Sequence, residues 1–160
     1  FPYNIDGYCK GKENFVSSIE ELALSHFDGA WDKMYIAARK VQCERKISSL
    51  IEAGSISAAI LTSKGNIYVG VCIDTACSLG MCAERNALYG AYCNGYSKAD
   101  IKQLAIVADC KVIASPCGAC RQVMSELLPE NCLIILANLQ EYKTILMKEL
   151  LPMAFTEGNL

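Results

Sequence analysis

The stretch SPCGACRQVMSELLPENCLIILAN (residues 115–138) contains a helix, its end and a strand in close succession. Residues 117–128 are predicted to form the helix, and Pro129 ends it because proline cannot continue a helix. Residues 131–138 then predict a buried strand, and residues 101–109, just before the stretch, predict another. Strands that alternate with a helix in this way favour a central sheet with helices packed on it.

The rest of the chain extends this pattern. Residues 56–62 and 67–73 are β-rich runs that flank SKGN, a sequence typical of a hairpin turn. Helices are expected at residues 17–27, at residues 31–54 as one or two helices ended by Gly54, and at residues 82–95. Residues 142–152 are expected to form a short strand followed by a helical turn.

The composition excludes several classes of function. A chain of 160 residues is expected to form one main domain, and 52% apolar against 20% charged residues is typical of a globular protein. The net charge of −2, without a long run of Lys or Arg, predicts that the protein does not bind nucleic acid. No apolar stretch approaches the roughly 20 residues that a membrane span needs. We therefore expect a small-molecule ligand.

The ten cysteines could in principle form a disulfide framework. However, the opening residues FPYNIDGYCKGKENF do not show the charged start and apolar run of a signal peptide. A chain of this length also does not need cross-links in order to fold. We therefore expect a cytoplasmic protein with free or metal-bound thiols.

Cys117 and Cys120 stand three residues apart at the start of a predicted helix, so both thiols lie on one face and can reach one ion. A helix N-terminus favours the thiolate, because its exposed N–H groups stabilise negative charge. In GMCAERNAL (residues 80–88), Cys82 opens another predicted helix and Glu84 follows it. A third thiol beside the pair would give the three-ligand site that catalytic zinc uses, with one position open for water and Glu84 as the partner of that water.

Two alternatives remain open on these residues. A thioredoxin-like redox protein would use only Cys117 and Cys120, as a pair that forms and breaks a disulfide. A structural zinc module would need a fourth ligand, for which Cys77 and Cys110 are candidates. Neither alternative gives a role to Glu84.

The combination of CAE (residues 82–84) and PCGAC (residues 116–120) resembles the signature of the cytidine deaminase family of zinc-dependent nucleoside deaminases. The similarity continues in ILTSKGNIYVGVCIDTACS (residues 60–78) and in ELLPMAF (residues 149–155). The family implies a three-layer α/β/α sandwich around a mixed five-stranded sheet. Its tetrameric branch further implies a homotetramer.

The resemblance covers roughly residues 31–155. We therefore expect a cytidine deaminase-like catalytic domain at residues 31–160 and an N-terminal extension of unknown role at residues 1–30. The only histidine, His26, lies in this extension and is expected to be an ordinary surface or core residue.

Carried over by position, the resemblance implies one Zn²⁺ per subunit, held by Cys82, Cys117 and Cys120. Glu84 would be the proton shuttle. Three thiolates leave the metal centre negative, which weakens its effect on water. Arg85 is similar to an arginine that hydrogen-bonds the sulfurs in the tetrameric branch, where it offsets this charge.

The resemblance also implies substrate contacts. The backbone N–H of Ala83 and the carbonyl of Ser115 would hold the base. Phe155 is similar to a tail aromatic that reaches a neighbouring subunit's pocket, and the alternative is simple core packing. Glu52, near the expected pocket mouth, would contact a substrate amine or else be a solvated loop carboxylate.

The sequence departs from the family at three positions. Gly54 stands where a phenylalanine usually packs on the pyrimidine, and Cys72 and Asp74 replace an Asn-x-Glu pair that grips the ribose. The expected reaction is hydrolytic deamination of a 4-aminopyrimidine nucleoside, that is cytidine, deoxycytidine or a modified cytidine. Losing contacts to substrate hydroxyls weakens discrimination between nucleosides. The alternative substrate is a pyrimidine nucleoside antibiotic such as blasticidin S, whose amine Glu52 would contact.

Overall fold

A computed structural model of the protein describes residues 29–159. The helix expected at residues 17–27, with His26, lies outside the described residues, as does most of the predicted N-terminal extension. The helices are α1 Ala30–Val41, α2 Ala83–Cys93, α3 Gly118–Leu127 and α4 Met147–Leu150, with short 3₁₀ turns at Lys98–Asp100 and Glu157–Asn159. The strands are β1 Arg45–Lys46, β2 Ile51–Thr62, β3 Ile67–Thr75, β4 Ile101–Ala108, β5 Leu133–Ala137 and β6 Tyr142–Leu146.

The strands form one mixed sheet. The five longer strands lie in the order β3-β2-β4-β5-β6, with β4 and β5 parallel and the other neighbours antiparallel. The two-residue β1 pairs with the beginning of β2, with Arg45 opposite Ala53 and Lys46 opposite Glu52. The mixed sheet confirms the prediction, but the expected number of five strands is wrong, because β1 is a sixth.

Helices cover both faces of this sheet. Successive side chains of a strand point to opposite faces, so Ala58 and Ile60 of β2 face α2 and α3, whereas Ala59 faces α1. The side of α1 that contacts the sheet consists of Trp31, Met34, Tyr35 and Ala38. The three-layer α/β/α arrangement is thereby confirmed. Between residues 29 and 159, no helix is long and apolar enough to cross a membrane.

The helix expected over residues 31–54 is the main error of the sequence prediction, since α1 ends at Val41. The next side chain, Gln42, is buried, accepts a hydrogen bond from Arg39 (2.6 Å) and donates one to the carbonyl of Ser55 (2.8 Å). These contacts turn the chain towards the sheet. Gly54 lies inside β2 at φ 89°, where a side chain would also collide with the Cys43 carbonyl.

The contact between β3 and α2 positions the beginning of α2. A Cβ at Gly70 would lie 2.6 Å from the Ala83 carbonyl oxygen, so only glycine allows the helix to come this close to the strand. The Asn86 amide donates to the Val71 carbonyl (3.1 Å) and holds the helix there. Just before α2, Met81 and Ile73 exchange two backbone hydrogen bonds (2.8 and 2.9 Å).

We predict that Gly70→Ala lowers the free energy of unfolding by about 1–3 kcal/mol, because the added methyl group must push α2 away from β3. Gly90→Ala is the matched control. Gly90 lies within α2 with open space around it, so alanine there should raise the free energy of unfolding by about 0.5–1 kcal/mol. Urea unfolding of both variants measures the difference, and equal stability of the two would contradict the proposed contact.

Candidate metal and catalytic site

Three thiols converge where two helices begin. Cys82 is the N-cap residue of α2, Cys117 is the N-cap residue of α3, and Cys120 is the third residue of α3. Their Sγ atoms all lie within 4.8 Å of one another, and those of Cys82 and Cys117 are 3.8 Å apart. Two sulfurs on a tetrahedral zinc-sized ion, each about 2.3 Å from it, are about 3.8 Å apart. The spacing of the thiols therefore fits one tetrahedral divalent ion.

The electrostatics of the three thiols also favour a bound cation. Burial and the negative charge of Glu84 raise the pKa of Cys120, and burial raises the pKa of Cys82. Burial opposes ionisation of Cys117 as well, but hydrogen bonds from the Cys120 backbone and from the Cys120 and Cys82 thiols outweigh it and lower its pKa. A metal ion that is coordinated by thiols removes their protons. A divalent ion would thus hold all three sulfurs as thiolates.

Arg85 lies beside these sulfurs. Its Nη2 atom donates to the Cys82 sulfur at 3.9 Å, and this hydrogen bond raises the pKa of Arg85. Cys120 also contributes to that rise, so the guanidinium acts on two of the three thiols. The structure places Arg85 where a cation can offset negative charge on the sulfurs.

Glu84 is a buried carboxylic residue next to the three thiols. It is the second residue of α2 and is only 5% exposed. Its charge contributes an upward shift to the pKa of Cys82, Cys117 and Cys120, so it is close to all of them. The redox and structural-zinc alternatives give no role to such a carboxylate. The converging group contains only the three cysteines, and the exposed Cys77 and Cys110 are not part of it in the described residues.

The two residues expected to hold a base lie next to the thiols in sequence. Ala83 is the first residue of α2 and is fully buried. The first N–H groups of a helix have no acceptor within it, so that of Ala83 can bind a ligand. Ser115 is exposed two residues before Cys117, and its hydroxyl accepts a hydrogen bond from Arg121.

The positions expected to contact the sugar lie on β2 and β3. Cys72 is 7% exposed, and its sulfur interacts with the Ser55 hydroxyl (3.0 Å) and accepts from the Ile56 N–H (3.3 Å). Its thiol therefore bonds within the sheet. Asp74 is exposed and lies directly opposite Glu52 in the register of the two strands. Glu52 is solvent-exposed as expected, but it lies in a strand, and the prediction of a loop carboxylate is wrong.

Phe155 is 55% exposed, which excludes simple packing into the core of the described chain. Its backbone forms two hydrogen bonds with the side chain of Gln122. Gln122 and its neighbour Arg121 were not identified from the sequence. The signal in the sequence was their position directly after Cys120, because two of the groups that they contact, at Leu150 and Phe155, lie far away along the chain.

Known proteins have sequences and structures similar to those of this chain. The chain is 46% identical over 108 residues to a cytidine deaminase of Halalkalibacterium halodurans, a match that covers 66% of this chain and 80% of that protein. It is 32% identical over 126 residues to a blasticidin-S deaminase of Bacillus cereus, covering 71% of this chain and 86% of that protein.

Among solved structures, a cytidine deaminase from Burkholderia pseudomallei superposes with a TM-score of 0.68 at 31% identity and covers 77% of this chain and 97% of that one. No protein-family model matches the sequence. These relatives identify the chain as a hydrolase that acts on carbon–nitrogen bonds. The chain belongs to the cytidine deaminase family.

We predict that Cys117→Ala lowers the metal content from about one ion per chain to near zero, because only two thiols remain. Elemental analysis of protein purified without chelators measures this ratio. Cys93→Ala is the control, since Cys93 is an exposed cysteine at the end of α2 and is not part of the converging group. A Cys117→Ala protein that still held one ion per chain would show that the ligand set is wrong.

Proposed function

We propose that this protein catalyses the zinc-dependent hydrolytic deamination of cytidine, deoxycytidine or a modified cytidine to the corresponding uridine and ammonia, as a step of pyrimidine salvage. The observation that carries the proposal is the convergence of three thiols beside the buried Glu84. It occurs in a chain that is 46% identical to a cytidine deaminase. A redox pair or a purely structural metal site would not require that carboxylate.

Cys82, Cys117 and Cys120 would hold the metal. Sulfur ligands select zinc over magnesium or calcium, which prefer oxygen ligands. Once bound in a site with three protein ligands, zinc acts as a Lewis acid that makes water nucleophilic near neutral pH. Arg85 and the N-termini of α2 and α3 would offset the negative charge of the thiolates.

Glu84 is the residue that we assign to proton transfer. It would accept the two protons of the attacking water one after the other, and it would deliver the first to the ring nitrogen and the second to the departing amino group as the ring carbonyl forms. Water adds to the ring carbon that bears the amine, the carbon–nitrogen bond breaks, and ammonia leaves. The burial of Glu84 supports this role, because little bulk water competes for the proton.

Binding of the base would need one donor and one acceptor close to the reacting carbon. The Ala83 N–H is a donor at the start of α2, and the Ser115 carbonyl is an acceptor on the segment that leads to Cys117. We assign both to the base. Cys72 and Asp74 are assigned to the sugar side of the pocket, with the Asp74 carboxylate better placed for contact because it is exposed.

The second candidate is deamination of a cationic nucleoside antibiotic such as blasticidin S. Two observations favour it: the 32% identity to a blasticidin-S deaminase, and the exposed carboxyl groups of Glu52 and Asp74 on directly opposite strand positions. Two adjacent carboxylates would attract a substrate amine. The lower identity makes this the weaker candidate.

We further propose a homotetramer in the cytoplasm. The exposed ring of Phe155 supports assembly, because a neighbouring subunit would cover it and gain an aromatic wall for its pocket. A reducing compartment would keep the metal-binding thiols available. We also retain the division into a catalytic domain at residues 31–160 and an N-terminal extension at residues 1–30.

An ammonia-release screen over cytidine, deoxycytidine, modified cytidines and blasticidin S tests the proposed substrate. We expect the highest kcat/KM with cytidine or deoxycytidine. A preference for blasticidin S would establish the second candidate. Zinc-loaded protein that released ammonia from none of them would refute both.

We predict that Glu84→Gln lowers kcat by about 10²–10⁴-fold, because the amide cannot accept and deliver the proton. Zinc content and thermal stability should stay close to those of the unaltered protein. Glu130→Gln is the control, since it removes a carboxylate from an exposed position beyond α3. Steady-state kinetics and elemental analysis measure both effects, and an active Glu84→Gln protein would remove Glu84 from the mechanism.

A further inference from the structure

Arg121 directly follows Cys120, a proposed metal ligand, and its side chain donates hydrogen bonds to three acceptor groups. Its Nε atom donates to the Pro116 carbonyl (2.9 Å), and its guanidinium also donates to the Ser115 hydroxyl (2.5 Å) and to the Leu150 carbonyl (3.2 Å). The first two acceptors belong to the segment that leads into Cys117. The third is at the last residue of α4, where helix carbonyls lack partners within the helix.

Gln122, the next residue of α3, contacts the backbone of Phe155. Its side-chain amide donates to the Phe155 carbonyl (3.0 Å), and its side-chain oxygen accepts from the Phe155 N–H (3.3 Å). This pair of hydrogen bonds fixes the backbone of Phe155, while the residue stays 55% exposed. The ring is therefore presented at a defined place beside the helix that carries two of the three thiols.

We propose that Arg121 and Gln122 form a clamp that positions the Ser115 carbonyl and the Phe155 ring for the substrate. This inference rests on the proposed function, because those two groups are assigned there to the base and to a pocket wall. Arg121 and Gln122 are positioning residues, since each acts through a group that it holds.

The geometry gives the two residues different effects. Arg121 donates hydrogen bonds to the Ser115 hydroxyl and to the Pro116 carbonyl. The peptide group that carries the Ser115 carbonyl lies between these two acceptors in the chain. Losing these bonds would let the base move relative to Glu84, and a small displacement from reactive geometry costs up to about 10²-fold in rate. Gln122 holds only the tail, so its loss would weaken binding more than chemistry.

The clamp is tested on the zinc-loaded full chain with Arg121→Lys and Gln122→Ala, by steady-state kinetics with cytidine and by hydrogen exchange. Arg121→Lys keeps the positive charge but loses the planar arrangement of donors. We expect it to lower kcat/KM by about 10–100-fold with unchanged zinc content. Gln122→Ala should raise KM by about 3–10-fold, the effect of one or two hydrogen bonds, with kcat changed less than about twofold. It should also speed exchange of the Phe155 amide.

Ser125→Ala is the matched control on the same helix. The Ser125 hydroxyl donates only to the Gln122 carbonyl within α3, so its removal should leave KM, kcat and exchange at Phe155 unchanged. If the unaltered protein is active, either of two results would overturn the clamp. The first is a Gln122→Ala protein with unchanged KM and unchanged hydrogen exchange at Phe155, and the second is an Arg121→Lys protein with full activity. An unaltered protein without deaminase activity would overturn the proposed function, and with it the purpose of the clamp. Exchange at Phe155 would still show whether Gln122 holds the tail.

Discussion

The close contact between β3 and the beginning of α2 determines where the reactive groups lie. Because Gly70 has no side chain, the first turn of α2 can rest on the strand, and the Asn86 amide fixes it there. The backbone bonds between Ile73 and Met81 bring the segment before Cys82 to the same strand. The sheet then connects this half of the site to β4 and to α3, which carries Cys117 and Cys120. The sheet therefore brings the three thiols together, although none of them lies on a strand.

Charge balance is the second constraint on the site. With the proposed divalent ion bound, three thiolates and the Glu84 carboxylate would carry four negative charges, and the ion and Arg85 would bring three positive charges. The excess negative charge lies where α2 and α3 begin, and the N–H groups of both helix N-termini face it. Cys82 and Cys117 are both N-cap residues, which places their sulfurs nearest to those groups. The same arrangement that favours thiolates thus also tolerates the buried carboxylate of Glu84.

The sequence predicted those parts of the structure that have local signals. The hairpin around SKGN, α2, β4, α3 and β5 follow from hydrophobic pattern and turn residues. The resemblance of the CAE and PCGAC motifs to a known family predicted that Cys82, Cys117 and Cys120 converge. The failure in residues 42–54 has a tertiary cause. The buried side chain of Gln42 hydrogen-bonds to the Ser55 carbonyl, and the nearby Cys43 carbonyl leaves no space for a side chain at position 54. Arg121 and Gln122 were missed because Leu150 and Phe155 are 29 and 33 residues away.

In the proposed function, the groups assigned to the reaction and the groups assigned to the substrate lie on different elements. The thiols and Glu84 lie at helix starts, whereas Gly54, Cys72 and Asp74 lie on β2 and β3. Under these assignments, changes in the strands would alter sugar and base recognition while the thiols and Glu84 stay in place. Gly54 cannot simply regain an aromatic side chain, since its φ of 89° and the Cys43 carbonyl both exclude one. An aromatic contact to the base must then come from another element. The exposed ring of Phe155, held by Gln122, is the group that the proposed assembly offers for this contact.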